Sequence, residues 1–376
     1  MSRIRDITID IHHVQRPTFT PRPSRFFTDE PHVYALLRVL TDDGIEGNHA
    51  ITIDARQGHG AGRHGTYALA AQILGQIKKE IVGRDASERE WLWQQAYAWE
   101  FWGHLNPKAI AAVDIALWDI AGKAAGQPVY KLLGAARNRI PAYDNCPFLS
   151  EIEPQVQWAQ ETKRRGFRGL KLHPGTLPMP TILQLHRRVR EAVGPDLDLM
   201  DDEALTLDYE SALRIGLQLQ ELEYRWFEDP CPHTDVDAYE RLCSRLDIPI
   251  AWTDHQNVDY ANTVAMLRRE AGPRIIRGDS MRFGITMLKK LCALAESFGL
   301  KCEIHSGNLP NLHVALSTCC CTYFEHTNPL PPGSEIPKDS PFALDANGCV
   351  SGPAAPGIGE AVIWQRMLGR KVETLH

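Results

Sequence analysis

Asp202, Glu228, Asp254, Asp279 and His305 each close a short apolar run, and they follow one another at intervals of 26, 26, 25 and 26 residues. That rhythm constrains the fold more than any other feature of the chain. A strand, its loops and a helix of about three turns consume roughly that many residues, the repeating unit of a βα barrel. The runs are Leu197–Asp202, Arg225–Glu228, Ile248–Asp254, Arg274–Asp279 and Lys301–His305, with Gly169–His173 before them and Thr322–Glu325 after. With Ile140-Pro141-Ala142-Tyr143 as a first strand, eight strands are counted, which predicts a (β/α) barrel. Polar groups at the carboxyl ends of barrel strands converge on one mouth. The series Asp, Glu, Asp, Asp, His, Glu is therefore expected to form one site.

The chain ahead of the barrel reads differently. Residues 1 to about 55 alternate as strands, with Asp42-Asp43-Gly44 as a hairpin-type turn, and residues 66 to 126 read as helical. The clearest helix starts at Asn106-Pro107, a capping residue followed by a proline suited to the first helical position. Ile110, Val113, Leu117 and Ile120 share one face, and Gly126 with Pro128 ends the pattern. Strands followed by helices make an α+β unit. At 376 residues, two domains are expected.

Composition narrows the function. Asp plus Glu number 47 against 41 for Lys plus Arg, a net charge of −6, which argues against a nucleic-acid partner because counterion displacement needs a basic face. No apolar run approaches bilayer length, and Met1-Ser2-Arg3-Ile4-Arg5 leads straight into alternation rather than a signal peptide. Nine cysteines without framework spacing, three of them adjacent at 319–321, read as reduced core residues of a cytoplasmic protein.

Three carboxylates on neighbouring strand ends, Asp202, Glu228 and Asp254, suit a hard divalent cation such as Mg²⁺. Asp279 and His305 end neighbouring strands, so the carboxylate can fix the imidazole tautomer and raise its basicity. His313, on the following helix, is expected only to pack. Lys171 and His173 share a face because strand side chains alternate. One can bind a substrate carboxylate while the other exchanges a proton with the α-carbon. Glu325 can donate a hydrogen bond to an enediolate if its pKa is raised.

Ala112-Val113-Asp114-Ile115-Ala116-Leu117-Trp118-Asp119-Ile120-Ala121-Gly122-Lys123, Trp226-Phe227-Glu228-Asp229-Pro230 and Gly357-Ile358-Gly359 together resemble motifs of the mandelate racemase branch of the enolase superfamily. The likeness covers nearly the whole chain. It implies a TIM-like (β/α)7β barrel with an N-terminal α+β capping domain. Residues 1–125 would cap the mouth, 126–345 would form the barrel, and 346–376 would pack back on the cap. The resemblance aligns Asp202, Glu228 and Asp254 with the Mg²⁺ ligands, Asp279 and His305 with the Asp-His dyad, and Glu325 with the acid on the last strand. Chelation of a substrate carboxylate, abstraction of its α-proton and stabilisation of an enediolate follow from the resemblance. Two positions depart from the pattern. Trp252-Thr253-Asp254 stands where Gly-Gly-Glu is usual, so Asp254 or His255 completes the metal site. Lys171-x-His173 replaces Lys-x-Lys, which leaves His173 as acid, weak base or substrate-binding group.

The resemblance favours dehydration of a sugar acid to a 2-keto-3-deoxy acid. A racemase or epimerase with His173 and His305 on opposite faces of the α-carbon is the alternative, and a degenerate barrel with a binding role is a third. Arg25, Phe26, Trp252 and His255 are candidate substrate contacts, as are Phe27, Asn308 and Asn311. Gly60-Ala61-Gly62-Arg63-His64-Gly65 has dinucleotide-fingerprint spacing without the βαβ context, and is expected to be a mobile loop. The partner expected is a small carboxylate, and the assembly a homo-oligomer.

Overall fold

The computed structural model describes residues 2–14, 32–51, 62–175, 177–252, 260–327, 333–360 and 370–376. Alternation builds its first sheet. Strands β1 (Ile4–Val14), β2 (His32–Thr41) and β3 (Glu46–Ile51) are antiparallel neighbours. On β2, Val33, Ala35, Leu37 and Val39 are buried while the residues between them are partly open. The β2–β3 turn needs φ +88° at Gly44, a left-handed conformation that suits glycine.

Helices α1 (Gly62–Gln72), α2 (Lys78–Ile81), α3 (Arg89–Gly103), α4 (Pro107–Ala124) and α5 (Val129–Leu132) follow, with a π-helical stretch at Ile73–Ile77. Asn106 caps α4 by accepting from the Lys108 amide at 3.0 Å, ahead of Pro107. Gly62 already lies in α1, so the glycine-rich segment expected as a loop is helical from there; Gly60 and Ala61 lie outside the described residues.

Eight parallel strands then alternate with seven helices among the described residues: β4 (Arg139–Asn145), α6 (Ile152–Arg164), β5 (Gly169–Leu172), α7 (Met179–Val193), β6 (Asp198–Asp202), α8 (Tyr209–Glu221), β7 (Trp226–Glu228), α9 (Val236–Arg245), β8 (Ile250–Trp252), α10 (Tyr260–Leu267), β9 (Ile275–Gly278), α11 (Ser280–Ser297), β10 (Lys301–Ile304), α12 (Leu309–Leu316) and β11 (Phe324–His326). The order β10-β9-β8-β7-β6-β5-β4-β11 is that of a (β/α)7β barrel. The buried Glu303 carboxylate ties the two end strands, accepting from the Thr322 and Tyr323 amides at 3.0 and 3.2 Å. Two further strands return: β12 (Cys349–Ser351) pairs with β4, and β13 (Arg370–Leu375) adds to the first sheet beside β1.

The α4 motif that carries the family resemblance is a joint between these parts. Asp114 is buried, and its carboxylate accepts from the Thr286 amide at 3.0 Å and hydroxyl at 2.6 Å. A side chain at Gly284, at φ +88° in α11, would sit 2.3 Å from that carboxylate. Asp119 accepts from the Asn48 amide at 2.9 Å and the Ile358 amide at 2.8 Å, joining β3 to the Gly357–Gly359 segment. His313 packs as expected: it is buried, accepts from the Tyr130 amide at 2.9 Å, lies 3.0 Å from the Ile358 carbonyl, and burial pushes its pKa down to about 4. All nine cysteines are unpaired, and Cys319 is exposed rather than in the core.

Candidate active site

Period-two alternation stacks the barrel interior in layers. The lowest is apolar, a buried cluster of Tyr143, Met200, Trp226, Ala251, Ile275 and Tyr323. Two residues further along those strands stand Asn145, Asp202, Glu228, Arg277 and Glu325, with Lys171 from β5 among them. The apolar plug keeps water from below, so the charged layer must neutralise itself.

Lys171, 1 % exposed, places Nζ 2.9 Å from Glu228 Oε1, 3.2 Å from Glu325 Oε1 and 3.3 Å from Asp202 Oδ2. Arg277 lies beside it, with Nη2 2.7 Å from Glu325 Oε2 and Nε 3.1 Å from Glu228 Oε1. Trp226 Nε1 donates to Glu228 Oε2 at 3.0 Å, and Asn145 Nδ2 to Glu325 Oε1 at 2.7 Å. Burial opposes the charge on Lys171, but Glu228 and Glu325 outweigh it and hold the ammonium above the usual lysine range. Burial likewise opposes the charge on Glu325, and Lys171, Arg277 and His305 overcome it, holding the carboxyl well below its usual range. Glu325 is thus an anion and an acceptor. The raised pKa that would let it donate to an enediolate is reversed here, because the strand ends bring two cations against it.

Lys171 and Arg277 face three carboxylates in this layer, and the His173 ring lies against one of them, Asp202, at 3.2 Å. The donors are hard oxygens, and buried carboxylates on neighbouring strands favour a divalent cation. Asp202 and Glu228, on adjacent β6 and β7, fit Mg²⁺ on both counts. Asp254, His255, Arg25 and Phe26 lie outside the described residues.

His173 stands above Asp202, with Nε2 3.2 Å from Asp202 Oδ2, Nδ1 2.7 Å from the Cys146 carbonyl and the ring stacked on Phe148 at 4.5 Å. A carbonyl only accepts, so Nδ1 carries a proton. Asp279 Oδ2 lies 3.2 Å from His305 Nδ1. Burial opposes the Asp279 charge; the bond to His305 prevails and lowers its pKa. Asn311 locks the pair from behind. Its Nδ2 donates to Asp279 Oδ1 at 2.9 Å and to the His305 and Ser306 carbonyls, while its Oδ1 accepts from the Ser280 amide and hydroxyl.

Two candidate substrate contacts are corrected by these positions, and a third is relocated. Trp252 is 4 % exposed and belongs to the apolar layer between strands and helices, because on β8 it is Ala251 that faces the axis. Asn311 is 1 % exposed and serves the dyad rather than the mouth. Asn308 caps α12, accepting from the Asn311 amide at 2.8 Å. Arg277 was legible in principle, two residues before Asp279 on one strand. Asn311 was not, since nothing local to its helix announces a partner on β9.

Similarity to known proteins agrees with this geometry. The family described as "Mandelate racemase / muconate lactonizing enzyme, N-terminal domain" matches residues 6–134, and "Enolase C-terminal domain-like" matches residues 155–366. L-rhamnonate dehydratase of Saccharopolyspora erythraea is 30% identical over 342 residues, covering 86% of this chain and 82% of that protein. D-mannonate dehydratase of a Sphingomonas species is 27% identical over 322 residues, covering 73% and 74%. The crystal structure of D-glucarate dehydratase from Agrobacterium tumefaciens, complexed with magnesium, superposes with a TM-score of 0.85 at 28% identity, covering 99% of both chains. No helix among the described residues is long and apolar enough to cross a membrane.

Proposed function

We propose that this chain, which belongs to the mandelate racemase / muconate lactonizing enzyme family of the enolase superfamily, is an Mg²⁺-dependent lyase that dehydrates a sugar acid to a 2-keto-3-deoxy acid. The observation that carries the reading is an Asp-His dyad, Asp279 buried and His305 partly open, at the same barrel mouth as a layer of buried carboxylates. Curated relatives that dehydrate sugar acids support the substrate class. Asp202 and Glu228 would hold the ion, with Asp254 or His255 completing its ligands. When bound, the ion polarises the substrate carboxylate and favours charge developing on it.

Asp279 occupies His305 Nδ1, which makes Nε2 the basic atom. His305 takes the α-proton; the C–H electron pair moves into the carboxylate system. The β carbon–oxygen bond then breaks, and the hydroxide leaves as water with a proton from an acid at the mouth, for which the newly formed imidazolium of His305 and the ring of His173 are the candidates. The enol that remains tautomerises to the 2-keto acid. Lys171, held as a cation, orients charge rather than acting as base. Residues 1–125 close over the mouth, with Arg25 and Phe26 as substrate contacts, 126–345 carry the chemistry, and 346–376 return to the cap. The enzyme acts in the cytoplasm as a homo-oligomer on a small carboxylate, without a nucleic-acid or membrane partner.

The test is a screen of sugar acids with Mg²⁺ in D₂O, read by NMR and a keto-acid assay. Keto-acid formation names the substrate. Deuterium at the α-carbon without keto acid would replace dehydration by epimerisation. Loss of dehydration in His173→Ala with α-proton exchange spared would place His173 after proton abstraction.

A further inference from the structure

On β6 the pattern breaks on the outer face. Asp202 points into the barrel, so alternation turns Asp201 outward, toward the layer between strands and helices where Leu185, Leu199, Ile215 and Leu219 pack. An apolar residue is the ordinary choice there. Asp201 instead meets His186 of α7, with His186 Nε2 2.8 Å from Asp201 Oδ1, and Glu203 just beyond the strand end joins them. One ligand atom from each of the three lies within 4.8 Å of the other two.

All three residues are 0 % exposed. Asp201 Oδ2 and both Glu203 oxygens have no hydrogen-bond partner among the described residues, and no Lys or Arg there pairs with either carboxylate. Desolvated carboxylate oxygens without donors are costly, and one divalent charge would balance the two carboxylates beside a neutral imidazole. Metal–ligand bonds of about 2.0–2.2 Å hold two ligands of one ion no more than about 4.4 Å apart, so a small contraction completes the site.

We propose that His186, Asp201 and Glu203 form a second metal site, buried behind the barrel wall and separate from the mouth, that takes a first-row transition dication. The imidazole selects this class over Mg²⁺, for which oxygen ligands and water are the usual shell. The ion would clamp the end of β6 against α7, directly behind Asp202.

Mn²⁺ is the probe, since it accepts both oxygen-only and mixed nitrogen–oxygen sites. The full chain is refolded from urea with Mn²⁺, freed of excess ion and assayed for bound metal by mass spectrometry. The expected content is about two Mn²⁺ per chain in the wild type and about one in each of His186→Gln, Asp201→Asn and Glu228→Gln. Mn²⁺ should also raise the melting temperature of Glu228→Gln but not of Glu228→Gln/His186→Gln. Content of about one that Glu228→Gln abolishes, or about two that persists in both His186→Gln and Asp201→Asn, overturns the proposal. Content of about one that survives Glu228→Gln but not His186→Gln supports it while removing metal from the mouth.

Discussion

Asp279 and His305 meet through Oδ2 and Nδ1 at 3.2 Å, at the ends of neighbouring parallel strands whose register places Gly278 beside Ile304. His305→Asn removes the basic atom without changing the side chain's bulk greatly, so turnover should vanish while the fold stays intact by circular dichroism. Near-normal activity would reject His305 as base. Asp279→Asn keeps the shape but not the charge, and kcat should fall by at least about 10²-fold.

Asn311 holds both members of that pair from the rear. Asn311→Ala should lower kcat by roughly 10²-fold with little change in KM, because a small misplacement of the base is expensive in rate. It should also displace the acid limb of the kcat/KM profile. A purely structural residue would reduce the active fraction and leave that limb in place.

Glu228 faces Lys171, Arg277 and Trp226 at once, on the strand beside Asp202. Glu228→Gln should weaken Mg²⁺ activation, seen as a raised metal concentration for half-maximal rate, and chelation by EDTA should abolish wild-type turnover reversibly. Unchanged metal dependence would take Glu228 out of the ligand set.

Arg277 is fully buried against Glu228 and Glu325. Truncating one partner of such an arrangement leaves uncompensated buried charge, so Arg277→Met should cost about 3 kcal/mol in urea unfolding. Part of that loss should return when divalent cation is added. A variant as stable as the wild type without metal would show that the layer tolerates the extra anionic charge.

Asp114 gives a pH signature. Burial pushes its pKa from 3.8 up to about 6, against the two hydrogen bonds from Thr286. A folded value above the unfolded one means its contribution to stability is fully present below 3.8 and is lost as pH rises through about 6. Asp114→Asn does not titrate. Its unfolding free energy relative to wild type should therefore rise by about 1 kcal/mol between about pH 5 and pH 8. A constant difference would mean the carboxylate is not perturbed.

The linear spacing of strand ends determined a good deal. Every predicted barrel strand is present, because a period of about 26 residues is a local property of strand, loop and helix lengths. Period-two alternation likewise put Asp202, Glu228 and Lys171 on one face, since side-chain direction along a strand follows from its pleat. The helix cap at Asn106 was legible for the same reason: its hydrogen bond closes two residues away.

What the tertiary structure decided lies between elements. Whether Glu325 donates or accepts depends on Lys171 and Arg277, which reach it from β5 and β9. Trp252 faces outward because of how β8 sits in the closed sheet, and Asn311 serves Asp279 across 32 residues of chain. Asp201 reads as one more acidic residue until α7 brings His186 against it. Protonation, charge balance and partner choice are set by distances through space and by the exclusion of water, and neither is written in the order of residues.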